Sequence, residues 1–195
     1  MLDPRWCVRL LAVVTCALVL AGCGSPEDGA GAGPEGANDA DVGFAGQMVP
    51  HHQQAVWMAD LAEQNADDAR VLRLAKEIKY ALEPEIETMR GWLAEWGEPV
   101  PSVGAADQGP GAASDAELTE LEHSYGRDFD RTWLELMLTH HRGSVAMART
   151  EVEDGEDGAA RALAEDIVKA QRNEMQRMRW LLQGGLDAGG GGIGW

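Results

Sequence analysis

The sequence predicts an all-α protein whose folded part is a four-helix bundle made of two duplicated helical hairpins. Three observations carry this. Outside a few Gly-rich segments the chain is dominated by Ala, Leu, Glu, Arg and Met, which favour helices, and it holds only 2 Phe and 2 Tyr. Apolar residues recur at three- and four-residue intervals, as in Leu72, Ala75, Ile78, Leu82, Ile86, Met89 and Leu93, the period of one helix face. The chain also matches itself, without a gap, at a shift of 89 residues.

That shift lays Met48 on Met137, His51 on His140, His52 on His141, Val56 on Val145 and Met58 on Met147. It goes on to lay Leu74 on Leu163, Ile78 on Ile167, Glu85 on Glu174, Met89 on Met178 and Leu93 on Leu182. A register kept through two helices and their connection marks a duplication. Repeat one covers residues 39–96, a Pro/Gly-rich linker 97–114, and repeat two 115–183.

The first helix is expected from about Asp39 to Gln64, capped by Asn38 or Asp39. The second is expected to begin near Ala66 and to stop before Gly97. Ser114 and Glu117 can form a capping box opening the second copy, whose first helix reaches about Glu153 with a break near Gly126. The last helix runs from about Asp157 to Gln183, with Gly184 as its cap. Pro50 and Pro84 sit inside helical patterns, where kinks are expected. One hairpin cannot bury its apolar stripe alone, whereas two facing hairpins can. At up to ~3.3 Å per residue the linker is long enough to cross a bundle, which would set the second and third helices parallel.

The ends read differently. Arg5 and Arg9 precede an apolar run from Leu10 to Leu20, then Ala21-Gly22-Cys23, which is the pattern of an export leader over residues 1–22. The run falls short of the roughly 20 residues a membrane span needs. Leu20-Ala21-Gly22-Cys23 resembles the bacterial lipobox, which implies cleavage before Cys23, its diacylation, and anchoring to the outer face of a bacterial membrane. Cys7 and Cys16 would leave with the leader, so the mature chain could form no internal disulfide. Residues 23–38 are then a flexible tether and residues 184–195 a Gly-rich tail.

The formal charge is −17, from 33 acidic and 16 basic residues, which disfavours binding to a phosphate backbone and leaves nucleic acid out of the expected partners. No nucleophile–base arrangement or phosphate-cradling Gly loop stands out, so a hydrolase or kinase is not expected.

The chemistry lies in the repeat. At ~100° per residue, Met48, His51, His52 and Met58 fall within an arc of about 120°, so two imidazoles and two thioethers share one side of a helix. Met137, His140, His141 and Met147 repeat them, and on the following helices Glu85 with Met89 and Glu174 with Met178 are four apart and neighbours. Every Met after the leader except Met175, and every His except His123, belongs to this set. Imidazole with thioether is a soft, neutral ligand set suited to copper, Cu(I) especially, and outside the cytoplasm thioethers do not oxidise to disulfides as thiols do. The ligand candidates are therefore His51, His52, His140 and His141, then Met48, Met58, Met137 and Met147, supported by Glu85, Met89, Glu174 and Met178. The glutamates are either harder ligands or acceptors for an imidazole N–H.

Blander readings compete. Met at helical spacing is often core filler, and a duplication inherits structural residues too. Glu120 with His123 forms a Glu-x-x-His without a counterpart in the first copy and reads as coincidence. Trp57, Trp92, Trp96, Trp133 and Trp180 read as bundle packing.

The stretches Met48-Val49-Pro50-His51-His52 and Met137-Leu138-Thr139-His140-His141, with the later Glu85-x-x-x-Met89 and Glu174-x-x-x-Met178, resemble a bacterial exported family of ferritin-like domains with no assigned function. The resemblance covers about Asp39 to Gln183. It implies a ferritin-like four-helix bundle, and some members, the CopM-like proteins, are linked to extracytoplasmic copper binding. The expectation is an anchored, extracytoplasmic, non-enzymatic protein that binds or sequesters copper. The alternatives are a ferritin-like metal-dependent oxidase, whose usual Glu-x-x-His spacing is here Met-x-x-His, and an interaction bundle with structural histidines.

Overall fold

The structure, a computed structural model, describes residues 36–102 and 108–186; the expected leader, Cys23 and most of the tether and tail lie outside them. Five α-helices follow in order: α1 (Asp39–Asn65), α2 (Ala69–Glu95), α3 (Asp115–Glu122), α4 (Gly126–Asp154) and α5 (Gly158–Trp180). A wide π-type turn over Leu181–Gly185 ends the bundle, with Gly184 at φ +119°. The described residues are all-α, as composition and periodicity predict.

Boundaries follow the caps. The Asn38 side chain accepts from Ala40 and Asp41 N–H while the Asp41 carboxylate accepts from Asn38 N–H, a full capping box. Ser114 and Glu117 make the second box. The first hairpin turn is longer than expected: Asp68, not a residue near Ala66, caps α2. The break near Gly126 is present, because that residue takes φ +62° and separates α3 from α4. Pro50 and Pro84 both lie within helices that continue past them.

α1 packs along α2, α4 along α5, and the two hairpins meet through α1 and α4. These central helices run antiparallel. Asn38, before α1, donates to the Asp154 carbonyl at the end of α4, and Asn65, at the end of α1, donates to the Glu122 and Ser124 carbonyls before α4. Consequently α2 and α4 are parallel, as a crossover linker demands.

The duplication is a pseudo-twofold axis. The Asp130 carboxylate accepts from Asp67 N–H at 3.2 Å and Asp68 N–H at 2.9 Å, in the turn of repeat one. Asp41, its equivalent, accepts from Glu156 N–H at 3.1 Å and Asp157 N–H at 3.0 Å, in the turn of repeat two. Each hairpin thus clasps the turn of the other. The core forms two apolar clusters, one on either side of this axis, one holding Trp133, Phe129, Leu74 and Ile78, the other Phe44, Ile86, Leu93 and Ile167. Two packing expectations need correction. Val71 and Leu74 are buried while Leu72 is only half-buried, and Trp57 points outward, 38% exposed. Both departures follow from α1 and α2 rotating their buried stripes toward α4 and α5 rather than toward each other alone.

Candidate metal centre

All four paired histidines are buried, with 0–1% of their surface exposed. Adjacent residues on a helix point ~100° apart, so each pair faces two neighbours at once. His51 on α1 turns to α4 and His140 on α4 turns back; their rings stack at 3.7 Å with 15° between planes, on the pseudo-axis. His52 instead turns into its own hairpin, where Nε2 lies 2.9 Å from Glu85 Oε2 of α2. His141 repeats this with Glu174 Oε2 of α5 at 2.8 Å.

The carboxylate contact sets the tautomer. An ionised carboxylate only accepts, so Nε2 is the donor, and in the neutral tautomer this leaves the lone pair on Nδ1. Nδ1 of His52 and Nδ1 of His141 are both buried and find no hydrogen-bond partner. Both ring nitrogens of His140 are likewise without one. Buried polar atoms are seldom left so, and four imidazole nitrogens in one layer are the strongest chemical signal in the fold. The glutamates therefore act as acceptors that orient imidazoles, the second of the two roles open to them.

The centre is not fully symmetric. His51 Nδ1 lies 2.7 Å from the Gln108 carbonyl and its Nε2 3.1 Å from the His140 carbonyl. Burial, and the neighbouring His52, push the His51 pKa down to about 4, so the ring is neutral at pH 7 and satisfies only one of these carbonyls. His140 is held well below the usual range, again first by burial and then by His51.

Gln108 belongs to the end of the linker, which straps the centre. The Gln54 amide donates to the Ala113 carbonyl at 3.0 Å and accepts from its N–H at 2.7 Å. Gly143, the equivalent of Gln54 in repeat two, makes room for the strap: a Cβ there would lie 1.6 Å from the Pro110 carbonyl oxygen. Met147 Sδ lies against Gly109.

Thioethers flank the imidazole layer on both sides. Met48, Met89 and Met147 join one apolar cluster, and Met58, Met137 and Met178 join the other. Each trio takes two methionines from one repeat and the last methionine of the opposite central helix, so the trios exchange across the pseudo-axis. All six are buried. Met48 Sδ accepts from the Ser144 hydroxyl of α4 at 3.3 Å, one turn beyond His140. Among the described residues no three His, Cys, Asp or Glu side chains converge on a metal-sized point, so imidazole and carboxylate alone do not form a cage. Glu120 and His123 lie on the exposed end of α3, where His123 Nδ1 meets the Thr119 carbonyl at 2.8 Å.

The sequence did not point to Gln108, since a Gly-rich linker gives no sign of which carbonyl meets a ring. Asp41 and Asp130 align at the same 89-residue shift and carried a readable signal.

Residues 41–182 match the family described as "Domain of unknown function (DUF305)". The chain belongs to the DUF305 family. A solved DUF305 protein from Streptomyces coelicolor, thought to be secreted, is 37% identical, with TM-score 0.69 over 74% of this chain and 92% of that one. CopM, solved in a Cu(I)-bound form, is 32% identical with TM-score 0.64, covering 73% of this chain and 95% of its own. CopM has also been solved bound to Cu(II) and to silver. A DNA protection during starvation protein of Mycolicibacterium smegmatis is 24% identical over 56% of this chain, which spans 59% of that protein's length. The DUF305 fold here is thus shared with a protein that carries copper, and the paired histidines lie within the matched span.

Proposed function

We propose that this DUF305 chain is an extracytoplasmic protein, tethered through lipidated Cys23, that binds and sequesters copper as cargo. His51, His52, His140 and His141 would supply the nitrogen ligands and Met48, Met58, Met137 and Met147 the sulfur, with Met89 and Met178 completing the thioether trios. Glu85 and Glu174 hold the outer imidazoles in position. The observation that carries the reading is the pair of buried Nδ1 atoms on His52 and His141 that meet no hydrogen-bond partner, each on a ring whose Nε2 is held by a glutamate.

The donor set fits the cargo. Cu(I) prefers neutral, polarisable ligands in few-coordinate sites, and burying a monovalent ion among neutral rings and sulfurs costs less than burying a divalent one. Two of the imidazoles need no deprotonation at pH 7, because burial already keeps His51 and His140 neutral. The copper- and silver-bound forms of CopM support the same choice of metal class. The export leader read from the sequence, and a relative thought to be secreted, support the location.

Titration with Cu(I) against a competing chelator tests the reading. A variant with all four paired histidines changed to Ala should lose most of the affinity; equal affinity in the two proteins would reject it.

A further inference from the structure

A second buried polar cluster lies away from the histidines, where α1 begins and α4 ends. Asp41 is 0% exposed and Glu151 1%. The Asp41 carboxylate is well supplied with donors: Oδ2 accepts from Asn38 N–H at 2.6 Å and Glu156 N–H at 3.1 Å, and Oδ1 from Asp157 N–H at 3.0 Å. Glu151 has none, since neither carboxyl oxygen meets a donor. It faces Asp41 within hydrogen-bond reach instead. Two ionised carboxylates cannot share a dry site, so one must keep its proton. Asp41, with three backbone donors, is the better anion. Glu151 is the acid.

We propose that Glu151 and Asp41 share one proton and form a pH-sensitive clamp between the start of α1 and the α4–α5 turn. Glu151 O–H donates to the Asp41 carboxylate, and loss of that proton to solvent leaves two buried carboxylates in contact. The other charges facing Glu151 are Asp157, which favours the acid, and Arg161, which opposes it. Burial first, then Asp41, raises Glu151 from 4.5 to about 8, while backbone donors lower Asp41. The clamp is an addition to one half of the molecule. At the equivalent place in repeat one stands Ala62, and Asp130 clasps its turn without a proton-bearing partner.

The sign follows from proton linkage. Between pH 4.5 and about 8 the folded state holds a proton that the unfolded chain releases, so stability falls with rising pH across that window and levels off above it. Thermal unfolding of the full chain, of Glu151→Gln and of Glu151→Ala, measured from pH 5 to pH 9.5, reads this directly. Relative to either variant the parent should lose midpoint temperature progressively up to about pH 8 and then run parallel; a constant difference at every pH overturns the proposal. Infrared spectroscopy of the parent gives a readout independent of any variant's folding. A carbonyl band of a protonated, buried carboxylic acid should be present at pH 6 and titrate away near pH 8. Its absence at pH 6 contradicts the clamp, and its persistence in Glu151→Gln assigns the proton elsewhere and does the same.

Discussion

His51 and His140 stack face to face at 3.7 Å although 89 residues separate them, because they are the same position of a duplicated unit met across its own symmetry axis. The pairing is a consequence of antiparallel packing between α1 and α4. It places four imidazoles in one layer, with a thioether trio above and another below.

The glutamates should matter to metal affinity without being ligands. Changing Glu85 or Glu174 to Ala removes the acceptor that fixes the His52 or His141 tautomer, and should weaken Cu(I) binding roughly 10–100-fold. Gln keeps an acceptor oxygen and should cost less. Chelator competition would check both, with circular dichroism to confirm that helix content is kept.

The apo centre should be acid-sensitive. The His51 pKa falls from 6.5 to about 4 on folding, so the unfolded chain binds a proton that the folded state refuses between those values. Stability is therefore present above pH 6.5 and lost as pH falls toward 4, by on the order of 3 kcal/mol for this ring alone. Denaturant unfolding at pH 7, 5.5 and 4 should show the fall, and His51→Phe should remove part of it, leaving the share of His140.

Strap packing offers a third test. Gly143→Ala drives a methyl into the Pro110 carbonyl and should destabilise the fold by about 1–3 kcal/mol through displacement of the strap. Gln54→Ala, which removes both hydrogen bonds to Ala113, should act in the same direction. Urea denaturation midpoints measure each.

The interlocked turns give a fourth. Asp130→Ala leaves the N–H groups of Asp67 and Asp68 without an acceptor, at a cost of about 1–3 kcal/mol. Asn in its place keeps one acceptor oxygen and should recover part of the loss in the same denaturation assay.

Much of this was legible in the sequence. An ungapped repeat transmits helix lengths, hairpin topology and the identity of the buried face, so the bundle, a cap at Asn38 or Asp39, the cap at Ser114, and the burial of His51, His52, His140 and His141 could all be read in advance. Helical projection, however, treats a face as one surface. It did not separate His51, which turns to the opposite hairpin, from His52, which turns to its own, because that depends on where α2 and α4 lie around α1. Nor could it sort six methionines into trios that each borrow one sulfur across the axis. The Gln108 contact was out of reach, since a carbonyl carries no side-chain signature. Trp57 shows the converse: by type it reads as bundle packing, whereas it lies on the outward side of α1.

X-ray absorption at the copper edge, on protein loaded with Cu(I) at sub-stoichiometric ratio, tests the central claim most directly. Imidazole nitrogen and thioether sulfur should both scatter in the first coordination shell, and the nitrogen signal should vanish when His51, His52, His140 and His141 are changed together to Ala. A shell of oxygen alone, unchanged by those substitutions, would place the metal on the acidic surface and contradict the account.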